Sequence, residues 1–328
     1  MLSRMFSAVA LAGAALVGAL AGSAAAQDNW PTRPITLISP FAAGGGADFV
    51  ARLIAAGIED DLGQSVIVEA RPGGGGVIGA NFIAQSAPDG YTVMLTPAAP
   101  LVNAPLLRPD TVPYDPQTDL EPLMKLVVSP IMVITNSKLE ATNLKELVDL
   151  AKASPGKISI GNSGAGSTQQ LLSLMFQGGT GTELNMIAYT GSGEIVPDLV
   201  AGRLNMMLDF PAAYAAYVES GDVRLLASLS DKRLPLFPDV PTVSEAGFPE
   251  VPAWSGWFGL FAPDGVPVEV KEKLTTAIRN YLNSDEAKEK LAAGGYTPDP
   301  ASVEDLKALM DHERNVLTGL VDKYNLKQ

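Results

Sequence analysis

Two glycine-rich turns are the residues of this sequence best equipped for chemistry. The first, Phe41-Ala42-Ala43-Gly44-Gly45-Gly46, follows the apolar run Ile35–Ser39 and opens a helical pattern carrying Val50, Leu53, Ile54 and Ile58. The second, Ser163-Gly164-Ala165-Gly166-Ser167-Thr168, follows Ile158–Gly161 and precedes Leu171, Leu172, Met175 and Phe176 at helical spacing. A turn of this kind between a parallel strand and a helix aims backbone N–H groups beyond the strand's C-terminal end, and the helix start adds partial positive charge. That chemistry is anion capture. Ser163, Ser167 and Thr168 add hydroxyls that can reorient to share a carboxylate or a bridging water. If both turns face one cleft, two sockets oppose, which suits a molecule with a carboxylate at one end or at both. Close helix–strand packing accounts equally well for either turn alone; the occurrence of both favours a ligand. Asp48 is expected to cap its own helix and point aside. Phe41, at the edge of the first socket, either walls an apolar ligand body or packs in the core.

Other signatures fail on inspection. Gly74 to Gly79 reads formally as G-x-G-x-x-G, but the next strand runs into Thr96-Pro97-Ala98-Ala99 with no acid to hold a ribose. No phosphate-loop motif occurs, and Ser163 lacks the glycine two residues on that a nucleophile elbow requires. His312 is the only histidine, and with Asp311 and Glu313 beside it reads as a solvated helix face. With 0 cysteines there is no disulfide, thiolate metal site or cysteine nucleophile. The expectation is a binding protein, not an enzyme, with no metal and no cofactor.

The elements that must position the turns alternate strand, turn and helix, the signature of an α/β protein with parallel neighbours. The pattern lapses from Pro100 to about Leu126 and again from Arg233 to Ala253, and the segments after the second lapse are too few for a core of their own. They are expected to dock back on the first unit. The expected division is residues 27–128 with 253–328 as one lobe and 129–252 as the other, with two chain crossings at a hinge. Ahead of them, Arg4, the apolar run Phe6 to Ala21 and Ser23-Ala24-Ala25-Ala26 read as a secretory signal cleaved after Ala26. No other apolar run approaches the ~20 residues a membrane span needs. A net charge of −13 argues against a nucleic-acid partner, which wants basic stripes, and is consistent with a soluble monomer.

The segments RPITLISPFAAGGGADFVAR, RPGGGGVIGANFIAQSAPDGYT, GNSGAGSTQQL, AYTGSGEIVPDLVAGRLNMMLDF and DVPTVSEAGFP followed by WFGLFAP resemble the Bug-type substrate-binding proteins of tripartite tricarboxylate transporters, in that family's order. The resemblance implies a two-lobe periplasmic binding protein fold, type II-like. It implies a carboxylate gripped by the loops Phe41 to Gly46 and Ser163 to Thr168, and a periplasmic receptor that delivers it to membrane transporter subunits. Tyr189 and Asp209 match cleft-lining positions of the pattern, and Asp209 could instead hold a ligand amine. The chain departs from the family at Gln170, where His is frequent, at Thr190, where a basic residue is frequent, and at Glu194 and Ile195. Fewer cationic groups near the cleft would suit a less charged or more apolar acid. A ligand-sensing subunit of a signalling system and an exported enzyme are the rival readings.

Overall fold

The computed structural model describes residues 30–234 and 236–324; the expected signal segment lies outside them. The chain forms two sheets. In the first, β1 (Ile35–Ser39), β2 (Val66–Ala70) and β3 (Thr92–Thr96) pair in parallel, joined by α1 (Gly46–Leu62) and α2 (Val77–Ala84). Helix α1 forms because Val50, Ala51, Ile54, Ala55, Ile58 and Leu62 recur on one buried face, and it stops at Gly63 in the left-handed conformation. A short α3 (Ala104–Leu107) follows, and then β4 (Leu120–Pro130) extends the sheet.

The second sheet is β7 (Asn185–Ala188), β6 (Ser159–Asn162), β8 (Met206–Asp209), β5 (Met132–Asn136) and β9 (Val223–Ser228), in that spatial order. Its helices are α4 (Leu144–Ala153), α5 (Thr168–Thr180), α6 (Ser192–Ala201) and α7 (Ala215–Glu219). The chain returns to the first sheet with β10 (Ser255–Pro263), adds α8 (Val268–Asn283) and α9 (Asp285–Ala293), pairs β11 (Thr297–Pro298) on the edge, and ends in α10 (Val303–Tyr324). The first sheet thus runs β11-β4-β10-β3-β1-β2. The chain passes between sheets at Ile131 and again through residues 229–254.

Two expectations need correction. The stretch from Pro100 to Leu126 is not all loop, because β4 begins at Leu120; Pro122 and the unalternating apolar residues on either side of Lys125 hide its period. Nor is either sheet wholly parallel: β5 runs antiparallel to β8 and β9 in the second, and β10 antiparallel to both β3 and β4 in the first. A strand inserted from the far end of the chain leaves no local trace of its direction. Its burial on both faces, with only Ser255 exposed, is what the late return achieves.

Candidate functional site

Three helix starts converge on one cavity. Gly46 and Ala47 open α1, Thr168 and Gln169 open α5, and Ser192 opens α6; all five residues line it, with Phe41, Gly45, Pro97, Ser163, Phe210 and Phe258. Each helix follows directly on a parallel strand, so its first amides face the sheet's C-terminal edge. A helix leaves its first N–H groups without intrahelical acceptors, and each start carries roughly half a positive charge. No Lys or Arg is in the wall. The site's positive potential therefore comes from backbone alone.

The loops spend part of their donors on themselves. The Gly44 N–H donates to Asp48 Oδ2 at 3.0 Å, and Arg52 Nε donates to the same oxygen at 2.8 Å. Asp48 therefore turns back onto its own loop, and its ion pair with Arg52 holds that guanidinium protonated above its ordinary range. In the second loop the Gly164 N–H donates to Asn162 Oδ1 at 3.0 Å, and the Gly166 N–H to Gln170 Oε1 at 2.7 Å. The Ser167 N–H donates to the Gly164 carbonyl at 3.1 Å, while its hydroxyl oxygen caps α5 by accepting from the Gln170 N–H. Gln170 thus braces the loop. The Ser163 hydroxyl is buried in the cavity wall and has no partner. An unpaired buried polar group costs about 1–3 kcal/mol, so this oxygen marks where a ligand's polar end is wanted.

The opposite walls are apolar. Phe210 packs on Phe258 with ring centroids 5.0 Å apart, and Tyr296 completes the cluster at 5.9 Å from Phe210. The enclosed volume is about 20 Å³. That holds a water molecule but no dicarboxylate, so a ligand enters only as the two sheets part.

Glycines form the contact between the two units. A Cβ on Gly193 would overlap the Ala43 carbonyl oxygen, and one on Gly191 would stand 2.6 Å from the Ala42 nitrogen. On the other side of the cleft, Gly75 has φ +67° and a Cβ there would stand 2.5 Å from the Ala165 carbonyl oxygen. Within the Gly74–Gly79 stretch that mimics a dinucleotide motif, Gly75 is therefore the point against which the second loop packs, while Gly76 and Gly79 make room for Phe41, Pro100 and Pro40 of their own unit.

Five of the sequence-nominated residues are in the wall: Phe41, Gly45, Gly46, Ser163 and Thr168. Ala42, Ala43 and Gly44 lie in the contact with the Gly191–Gly193 turn, and Gly164 and Gly166 shape the second loop. Ala165 contributes its carbonyl to the Gly75 contact, and Ser167 caps α5. Tyr189 is not in the wall; its hydroxyl donates to Asp198 Oδ2 at 2.8 Å. Asp209 is not in the wall either. It accepts from Gln169 Nε2 at 3.0 Å and from the Tyr214 hydroxyl at 3.1 Å, with Ser192 and the Phe210 N–H as further donors. Burial raises its pKa despite these bonds, and pushes the Tyr214 hydroxyl well up. Its carboxylate thus positions Gln169 and Ser192, and no oxygen is left for a ligand amine. Sequence reading missed Ala47, Pro97, Gln169, Ser192, Phe210 and Phe258. Ser192 had a readable signal, the glycines on either side of it at the start of a helical period.

The comparisons fit this geometry. A family model described as "Tripartite tricarboxylate transporter family receptor" matches residues 50–326. The chain belongs to that receptor family. Protein BugT of Bordetella pertussis is 38% identical to it over 312 residues, 94% of this chain and 95% of that one. The solved structure of the periplasmic binding protein BugD is 32% identical with a TM-score of 0.87, covering 91% of this chain and 99% of that one. An R. palustris protein solved with adipate is 33% identical with a TM-score of 0.86, covering 90% and 98% respectively. Receptors of this family are solute-binding proteins, and the α/β two-lobe periplasmic binding protein architecture expected from the sequence is the one this member has.

Proposed function

We propose that this chain is a periplasmic receptor that closes on a small organic carboxylate and presents the closed form to a tripartite tricarboxylate-type membrane transporter. The moving parts are residues 27–128 with 253–328 and residues 129–252, hinged where the chain crosses. The observation that carries the reading is the convergence of three helix starts, from two sheets, on a cavity whose Ser163 hydroxyl is unpartnered. Three helix starts at roughly half a positive charge each sum to about 1.5 units, enough to neutralise one carboxylate but short of two. The aromatic wall of Phe210 and Phe258 suits an apolar body, and the absence of Lys and Arg from the wall favours a less charged acid over a tricarboxylate.

The reading is tested by titration calorimetry and thermal unfolding of the mature chain against monocarboxylates, dicarboxylates, aromatic acids and their amides. A ligand at about 100 times its Kd should add about 2.7 kcal/mol and raise Tm by roughly 5 °C. Ser163→Ala should weaken the preferred acid about tenfold, since it removes a donor aimed at the carboxylate. Amides that bind as tightly as the acids would refute the anion socket.

A further inference from the structure

A second cavity, about 10 Å³, adjoins the first. The two share Pro97, Thr168 and Phe210 in their walls, and the second is completed by Ala98, Trp254, Gly256, Trp257 and Glu313. Both lie between residues attached to different sheets: Thr168 and Phe210 on one side, Pro97, Trp257 and Glu313 on the other. Parting the sheets therefore widens them together.

Glu313 is the one ionisable group in this second wall, and it is 6% exposed. Its Oε1 accepts from Trp257 Nε1 at 2.9 Å, while its Oε2 has no partner. It occupies a core position of α10, in register with the buried Leu306, Met310, Leu317 and Val321. A carboxyl in such a row costs desolvation with no packing gain, which an aliphatic residue would avoid. A second buried acceptor is close to the same residue of α5: Asn103 donates its Nδ2 to Thr168 Oγ1 at 3.3 Å and leaves its Oδ1 unpartnered. What both groups lack is a donor.

We propose that Glu313 forms the far end of the ligand site and accepts a hydrogen bond from a hydroxyl or ammonium group carried at the end of the ligand remote from its carboxylate. This rests on the receptor reading above. The helix starts and Ser163 take the carboxylate, Phe210 and the indoles flank the body, and Glu313 selects acids that end in a donor over acids that end in a methyl group. Burial holds the Glu313 carboxyl at a pKa of about 7, so it is mostly ionised and an acceptor at pH 8. The amine recognition that the sequence suggested for Asp209 thus passes to a carboxylate that has an oxygen free.

The test is titration calorimetry at pH 8 on the mature chain and on Glu313→Gln. The probes are butanoate, 4-hydroxybutanoate and 4-aminobutanoate, their six-carbon counterparts, and malate and adipate. Gln keeps an oxygen for Trp257 and turns the free acceptor into a donor. The readout is the ratio of affinities for donor-ended and methyl-ended acids on the same protein, so any change common to both cancels. The native chain should prefer a donor-ended acid about tenfold, and the variant should lose most of that preference. Preference for the amine alone or for the alcohol alone supports the assignment and names the donor. Acids that bind without preference, or a preference that survives in the variant, overturn the Glu313 assignment and leave the receptor reading standing. If none of these acids binds, malate and adipate included, the receptor reading falls and the assignment with it.

Discussion

The buried carboxyl of Glu313 has a consequence for folding that needs no ligand. Burial raises its pKa from 4.5 to about 7, with the Trp257 indole bond opposing. The unfolded chain releases this proton near 4.5 and the folded chain near 7, so between those values the folded state binds more protons. Protonation of Glu313 therefore stabilises the fold fully below about pH 4.5, and that contribution is lost as pH rises through 7. At about 1.36 kcal/mol per pKa unit the whole displacement corresponds to about 3 kcal/mol, of which about 2.5 falls between pH 5 and pH 8. Glu313→Gln mimics the neutral acid and removes the titration. Urea unfolding of both proteins across that range should show the variant gaining on the native chain by about 2.5 kcal/mol as pH rises. Any fixed cost of the amide shifts the difference equally at every pH. Asp209, whose pKa burial also raises, is common to both proteins and cancels. Parallel stability curves would mean that the carboxyl titrates as if solvated, and the burial argument would be refuted.

Gly193→Ala should separate closure from folding. Alanine favours helix α6 by up to about 1 kcal/mol, yet its Cβ would overlap the Ala43 oxygen only when the two sheets are together. Ligand-free stability should hold or rise while affinity for the preferred acid falls at least about tenfold, and small-angle scattering with ligand should show the open form; unchanged affinity would remove this contact from the closing surface. Asp209→Ala should lower ligand-free stability by about 3 kcal/mol or more, because Gln169, Tyr214 and Ser192 each lose an acceptor, whereas Asp209→Asn should cost far less. A normal urea midpoint for the alanine variant, with binding alone abolished, would return Asp209 to direct ligand contact.

Much of the architecture was legible in the sequence. The strand at Ile35–Ser39, the helical pattern after it and the two glycine turns rest on spacing and on residues near one another in the chain. The site was legible in part. Phe41, Gly45, Gly46, Ser163 and Thr168 stand where glycine turns between strand and helix put them. Other turn residues in the same stretches serve differently, because their amides find acceptors four residues on, in Asp48 and Gln170. His312 shows the limit from the other side. It is exposed as read, but its neighbour Glu313, taken for part of the same solvated face, points inward. The helical period places Glu313 with Met310 and Leu317 on the core side, and that signal was available.

Local chemistry therefore determined the elements, the turn positions and which loop amides are tied back on their own helix, because hydrogen-bond closure, left-handed glycines and helix periodicity act over a few residues. Tertiary structure decided that Ser192 adds a third helix start, that Gln169 reaches across to Asp209, and that β10 returns antiparallel beside β3. Those outcomes depend on pairings between residues tens to more than a hundred positions apart. Such pairings are set by the competition among buried donors, acceptors and apolar faces for the same interior space, which no short stretch of chain records.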